Sequence, residues 1–212
     1  MSPRGLLFIT LFNSILGLSV LFPILAPLGR WLGFSEIEVG LLSTSYALMQ
    51  FVMSPFWGRR SERVGRKPVL LVGIIGFALS FLAFAIIAQL GKQGLFDRWT
   101  TFGLLLASRV AGGVFSSATL PTAQAYIADT TDRADRTAGM ALIGAAFGLG
   151  VVIGPAIGAA LSTLSLLAPV YFSAGFALLN AVFVWIKLPE PVKHVRPPDE
   201  EHPTSLIVRM WP

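Results

Sequence analysis

Apolar residues run along this chain in long unbroken stretches, and polar residues gather in the short gaps between them. Six stretches stand out, at about Gly5–Leu28, Val39–Trp57, Pro68–Leu90, Thr101–Ala128, Ala138–Leu161 and Leu166–Ile186. The hydrocarbon core of a bilayer is about 30 Å thick, and a helix needs roughly 20 mostly apolar residues to cross it. Each stretch meets that need. None alternates with a period of two, which speaks against a β-barrel. The first is longer than a signal-peptide core and has no convincing cleavage site, so it is expected to be retained. The pattern predicts an all-α integral membrane protein: six transmembrane helices within residues 1–188, then a linker-like tail over 189–212 rich in Pro and charge. The short apolar segment Ser205–Trp211 in that tail cannot span a bilayer.

Composition agrees. Of 212 residues, 54% are hydrophobic and 13% charged, against roughly 25% charged in soluble domains. Mean hydropathy is +0.73. There is too little polar surface to clothe a water-soluble fold. The 21 Gly show no three-residue period, which excludes collagen, and the Cys count of 0 excludes a disulfide scaffold and thiol chemistry.

The net charge of +5 does not point to nucleic acid, because the basic residues sit in short gaps between apolar runs. Of the 16 Lys and Arg, twelve fall in one alternating set of gaps and at the chain ends, three fall in the other set, and Arg109 lies inside a run. This asymmetry places both termini in the cytoplasm and the protein in the cell membrane, with the lipid bilayer as its first partner.

Four segments carry candidate chemistry. The gap between the second and third runs reads Gly58-Arg-Arg-Ser-Glu62-Arg63-Val-Gly65-Arg66-Lys67-Pro-Val-Leu70. Gly58 and Gly65 allow tight turns at positive φ. Pro68 suits the first turn of a following helix. Glu62 can pair with Arg63 or Arg66, or face a helix N-terminus. Arg109 is a charge within the membrane, costly by about 2.5–3.5 kcal/mol on insertion scales, so it must face the bundle interior or a wet cavity. It either bonds neighbouring helices or takes part in function. Asp129 ends the fourth run within Ala125-Tyr126-Ile-Ala-Asp129-Thr-Thr-Asp132-Arg-Ala-Asp-Arg136 and can pair with Arg66, Arg133 or Arg136. Thr130, Thr131 and Asp132 can end one helix or cap the next. In the fifth run Gly144, Gly148, Gly150, Gly154 and Gly158 surround Pro155, and the last three Gly repeat every four residues. Such a stripe lets helix backbones approach closely, and a static contact suffices to explain the spacing.

These segments resemble the major facilitator superfamily. The first is similar to its signature G-x-L-a-D-r-x-G-r-k-x-x-l, with Arg60 in place of Leu and Glu62 in place of Asp. The resemblance implies a cytoplasmic gating latch involving Gly58, Glu62, Arg63, Gly65, Arg66, Lys67, Asp129 and Arg136. Leu105-Leu-Ala-Ser-Arg109-Val-Ala-Gly112-Gly113 resembles l-x-x-x-R-x-x-q-G, with Gly112 in place of Gln; it implies a role for Arg109 in proton coupling. The segment ending at Asp132 resembles A-Y-I-A-D-x-T-D of tetracycline-type drug/proton antiporters. Gly150-Val-Val-Ile-Gly154-Pro155-Ala-Ile-Gly158-Ala159 resembles the antiporter motif G-x-x-x-G-P-x-x-G-G, with Ala159 in place of Gly. That motif implies export by exchange.

The family resemblance implies half of a twelve-helix transporter, built as two inverted three-helix repeats. Its expected partners are a small-molecule substrate and a second six-helix half, as a separate chain or a second copy. No carboxylate lies deep in any of the six runs, whereas proton coupling usually needs an acid within the membrane. Asn13, Tyr46, Gln50 and Gln124 are the substrate-path candidates, with Phe51, Phe115 and Tyr126 as further possibilities. His194 and His202 show no metal-ligand pattern. No phosphate-binding Gly-Lys-Ser/Thr loop supports ATP drive, and no nucleophile–base arrangement supports an enzyme. No cofactor is expected, and the proton gradient is the expected energy source. Three readings follow: a proton-coupled exporter of small amphipathic or cationic compounds, a truncated fragment without transport, or a metabolite importer.

Overall fold

The computed structural model describes residues 3–131 and 136–191, with the backbone alone for Arg136. Helix follows helix along these residues: α1 (Pro3–Leu32), α2 (Glu36–Val64), α3 (Arg66–Lys92), α4 (Arg98–Ser116), α5 (Thr119–Thr130), α6 (Arg136–Ser162) and α7 (Ala168–Lys187). Helices satisfy their backbone groups internally, which an apolar surrounding demands.

The first five predicted runs lie within a helix, or within a helix pair, that extends beyond them, whereas the sixth begins two residues before its helix, since α7 starts at Ala168. The fourth run is the pair α4–α5, a 33-residue stretch from Arg98 to Thr130. It is interrupted at Ser117 and Ala118, because Pro121 lacks the N–H that would bond the Ser117 carbonyl. Among the described residues, five segments are long and apolar enough to cross a membrane: α1, α3, α4–α5, α6 and α7. The exception is α2. Its 29 residues suffice in length, but Ser43, Thr44, Ser45, Gln50 and Ser54 make its uncharged middle too polar.

The gap between the second and third runs is not the ten-residue loop that its glycines and charges suggest. Helix α2 continues to Val64, α3 starts at Arg66, and Gly65 alone separates them at φ 115°. Gly65 meets the expectation of a positive φ. Gly58 does not: it lies inside α2, with Pro121 of α5 nearest to where its Cβ would be, at 3.8 Å.

The most extensive helix contact joins α1 to α6. Three glycines make it possible. A Cβ on Gly150 would lie 2.9 Å from Ile15, one on Gly154 2.5 Å from Ser19, and one on Gly158 2.5 Å from the Val20 carbonyl oxygen. Gly144 and Gly148, also candidates by spacing, face open space. The apolar core fills the region among α1, α3 and α7, with Leu6, Leu21, Ile24, Phe77, Phe81 and Phe84 buried there. A polar tie crosses it, where Asn180 Nδ2 donates to Thr10 Oγ1 at 3.1 Å.

Candidate functional site

One end of the bundle gathers charge. Arg66 opens α3 and reaches α5, its Nε 2.8 Å from Asp129 Oδ2. Its Nη1 donates to Ser61 Oγ at 2.6 Å, and Ser61 Oγ donates to the Gly58 carbonyl at 2.7 Å. Of the partners considered for Asp129, Arg66 is the one the geometry supplies; Arg133 and the Arg136 side chain lie outside the described residues. Thr130 and Thr131 close α5 by donating back to the carbonyls of Tyr126 and Ile127. Asp132 lies outside the described residues.

The expected pairing of Glu62 with Arg63 or Arg66 does not form. Arg66 is engaged by Asp129, and Glu62 is exposed. A carboxylate does meet the α3 N-terminus, but it belongs to Glu190, just beyond α7. It accepts from the backbone N–H of Arg66 and, at 3.0 Å, of Lys67. There it satisfies two of the unpaired donors of a helix start and lies at the positive end of the helix dipole. The Tyr126 hydroxyl donates to the Pro189 carbonyl at 2.7 Å and fixes the approach of that segment. Nothing local to Glu190 signals this role, because its partners lie 124 and 123 residues away.

The opposite end carries a second pair missed by inspection of motifs. Ser35 and Glu38 form a reciprocal capping box at the start of α2, and Glu38 also pairs with Arg98 at the start of α4. The Ser35-x-x-Glu38 spacing is a recognisable signal for the box, although not for Arg98. Bonds from the Ser35 backbone and hydroxyl, then Arg98, hold the Glu38 carboxyl below its ordinary range.

Between these ends lies Arg109, 4% exposed. Its guanidinium carbon stands 4.3 Å from the Tyr46 ring centroid, 5.5 Å from Phe81 and 5.7 Å from Phe84. Its Nε donates to the Leu42 carbonyl at 3.3 Å. Cation–π attraction is stronger where water is excluded, at about 2 kcal/mol per contact, which offsets part of the cost of burying the charge. The Tyr46 hydroxyl in turn donates to Ser116 Oγ at 2.7 Å, beside the α4–α5 break.

Arg109 lines a cavity of about 240 Å³ with Ser43, Thr44, Tyr46 and Gln50. A larger cavity, about 630 Å³, adjoins it among α1, α2, α4–α5 and α6. Its lining is mostly apolar, including Phe22, Phe51 and Phe147, with Ser14, Gln50 and Ser116 among its polar groups. Of the substrate-path candidates, Gln50 lines both cavities and Tyr46 the smaller. Asn13 is buried with its Oδ1 unpartnered, and lines neither. Gln124 is exposed and also lines neither, and Tyr126 is engaged at the charged end. Phe115 faces a different cavity, between α3 and α4.

Comparison with known proteins gives a consistent family. The chain is 32% identical over 189 residues to Multidrug resistance protein 1 of Bacillus subtilis (strain 168), covering 89% of this chain and 46% of that relative. It is 27% identical to the quinolone resistance protein NorA of Staphylococcus aureus (strain MRSA252), covering 88% and 45%. The chain thus spans about half the length of the curated relatives it matches. Among solved structures, the human organic anion transporter MFSD10 (TETRAN) matches with a TM-score of 0.70 and 28% identity, over 90% of this chain and 48% of that one. A bacterial homolog to the human lysosomal transporter Spinster, inward-facing and unoccupied, has a TM-score of 0.78 at 17% identity, covering 96% and 46%, and shares the fold. The family model of the Major Facilitator Superfamily matches residues 7–211. With its apolar helices and half-length fold, this chain belongs to the Major Facilitator Superfamily of membrane transporters.

Proposed function

We propose that this chain is the amino-terminal six-helix half of a secondary transporter that exports small amphipathic compounds in exchange for protons. The observation that carries the reading is the pair of adjoining cavities. A mostly apolar lining with a few polar groups suits amphipathic molecules, and the buried Arg109 stands beside it. The drug-resistance relatives add support for the substrate class. A second six-helix half would complete the path, as in related transporters. Since no carboxylate lies deep in these helices, the acid that takes up the proton belongs to that second half, and Arg109 would respond to it. The end bearing Arg66 and Asp129 is read as cytoplasmic from the distribution of Lys and Arg.

Efflux of either of two fluorescent amphipathic compounds, the cation ethidium or the anion dansylglycine, tests the reading, in cells expressing the chain alone and together with the second half of the Bacillus subtilis relative. Expected is efflux that a protonophore abolishes and that Arg109→Ala removes at equal membrane abundance. Efflux absent in both settings, or indifferent to the protonophore, would overturn it. Sidedness is accessible because the sequence has no Cys. Gln93→Cys is expected to react with an impermeant maleimide from outside, and Glu62→Cys only after the membrane is opened; the reverse would invert the topology.

A further inference from the structure

Arg109 is held by groups that do not satisfy it. A guanidinium carries five N–H donors, cannot give up its proton at working pH, and accepts nothing. Only Nε has an acceptor here, the Leu42 carbonyl oxygen. The terminal nitrogens have none among the described residues, and neither an aspartate nor a glutamate lines either cavity. The aromatic faces of Tyr46, Phe81 and Phe84 attract the charge without accepting a hydrogen bond in its plane. The side chain is 4% exposed, and the open space beside it is the smaller cavity. A cation with no acid beside it and mostly apolar walls around it favours an anion over any neutral or cationic guest.

We propose that Arg109 binds the carboxylate of an amphipathic organic anion whose apolar body occupies the adjoining cavity. The two spaces share Leu18, Phe22, Ala47 and Gln50 as walls, so one molecule can extend from one to the other. The smaller, about 240 Å³, takes the charged head. The larger, about 630 Å³ and mostly apolar, takes a ring system. A guanidinium meets a carboxylate through two parallel N–H···O bonds, a geometry that an ammonium cannot reproduce. The assignment rests on reading these cavities as the substrate site, and it narrows the substrate class from amphipathic compounds to organic anions.

Equilibrium binding of dansylglycine and of its methyl ester, read by dansyl fluorescence with the full chain in lipid nanodiscs, tests it. The pair differs by one charge and keeps the same ring system. The acid is expected to bind about tenfold more tightly than the ester, the usual scale for a charge-assisted bond. Arg109→Gln is expected to bring the ratio to about one, and Arg109→Lys to leave it between these values. Equal affinity in the unmodified chain, binding of neither probe, or a preference that survives Arg109→Gln would overturn the assignment. The ratio in the unmodified chain is readable without any variant. No gradient is present, so the outcome is separate from that of the efflux experiment. Ester discrimination without efflux would uphold the anion site and overturn the exporter reading. Efflux without discrimination would do the reverse.

Discussion

Arg66 Nε and Asp129 Oδ2 stand 2.8 Å apart and join the first residue of α3 to the end of α5, across 63 residues of sequence. The arginine is the more enclosed partner, with its side chain 13% exposed against 38% for the aspartate. It also serves Ser61, which the aspartate does not. Asp129→Asn is therefore expected to lower stability by roughly 0.5–1 kcal/mol, the range for partly exposed ion pairs. Arg66→Ala is expected to cost more, by about another 1 kcal/mol, since Ser61 loses its donor as well. Thermal unfolding of both single variants and the double variant in detergent checks this. Additive losses would show that the pair carries no coupling energy.

Glu190 ties the exit of α7 to the entry of α3 through two backbone N–H groups. Glu190→Ala is expected to cost about 1 kcal/mol, as loss of a helix cap does. The local sign is faster hydrogen exchange at the amides of Arg66 and Lys67, with α1 and α6 unchanged. Unaltered exchange at those two amides would remove the capping role.

Two glycines of α6 look alike in sequence and differ in space. At Gly158 a Cβ would meet the Val20 carbonyl oxygen of α1 at 2.5 Å, and backbone cannot step aside cheaply. Gly158→Ala is expected to cost about 1–3 kcal/mol through displacement of α1. At Gly148 a Cβ has open space, so Gly148→Ala is expected to be neutral or to stabilise by up to about 1 kcal/mol through reduced backbone freedom in the unfolded chain. Melting temperatures of the two variants should move in opposite directions, or only that of Gly158→Ala should move. Equal losses would show that helix approach is not the reason for Gly158.

Glu38 carries a pH dependence. Bonds from Ser35 and the charge of Arg98 lower its carboxyl in the folded protein from an ordinary value of 4.5. A lowered acid binds fewer protons folded than unfolded, so its contribution is full above 4.5 and fades as pH falls through the lowered value. Acid scans of unfolding should show a loss below pH 4.5 that is smaller in Glu38→Gln. An identical acid limb in both proteins would assign the loss elsewhere.

The local parts of the site were legible without coordinates. Gly65 at positive φ, Arg109 inside a run and the four-residue spacing of Gly150, Gly154 and Gly158 all follow from what neighbouring residues impose on one another. The helix of α2 running through Gly58 was not legible, because charged residues at a helix end read like those of a loop. Ser35-x-x-Glu38 was legible in principle, as a cap.

The sequence by itself determined the membrane character, the number and extent of the apolar runs, and the family. Those depend on transfer of side chains from water and on the need of every backbone group for a partner in lipid, both counted residue by residue. Tertiary structure alone decided that Asp129 answers Arg66, that Glu190 and not Glu62 caps α3, and that only three of five glycines touch α1. It also decided which rings, those of Tyr46, Phe81 and Phe84, wall in Arg109. These are matters of which helix faces meet, and facing depends on packing between segments far apart in the chain, which no local pattern encodes.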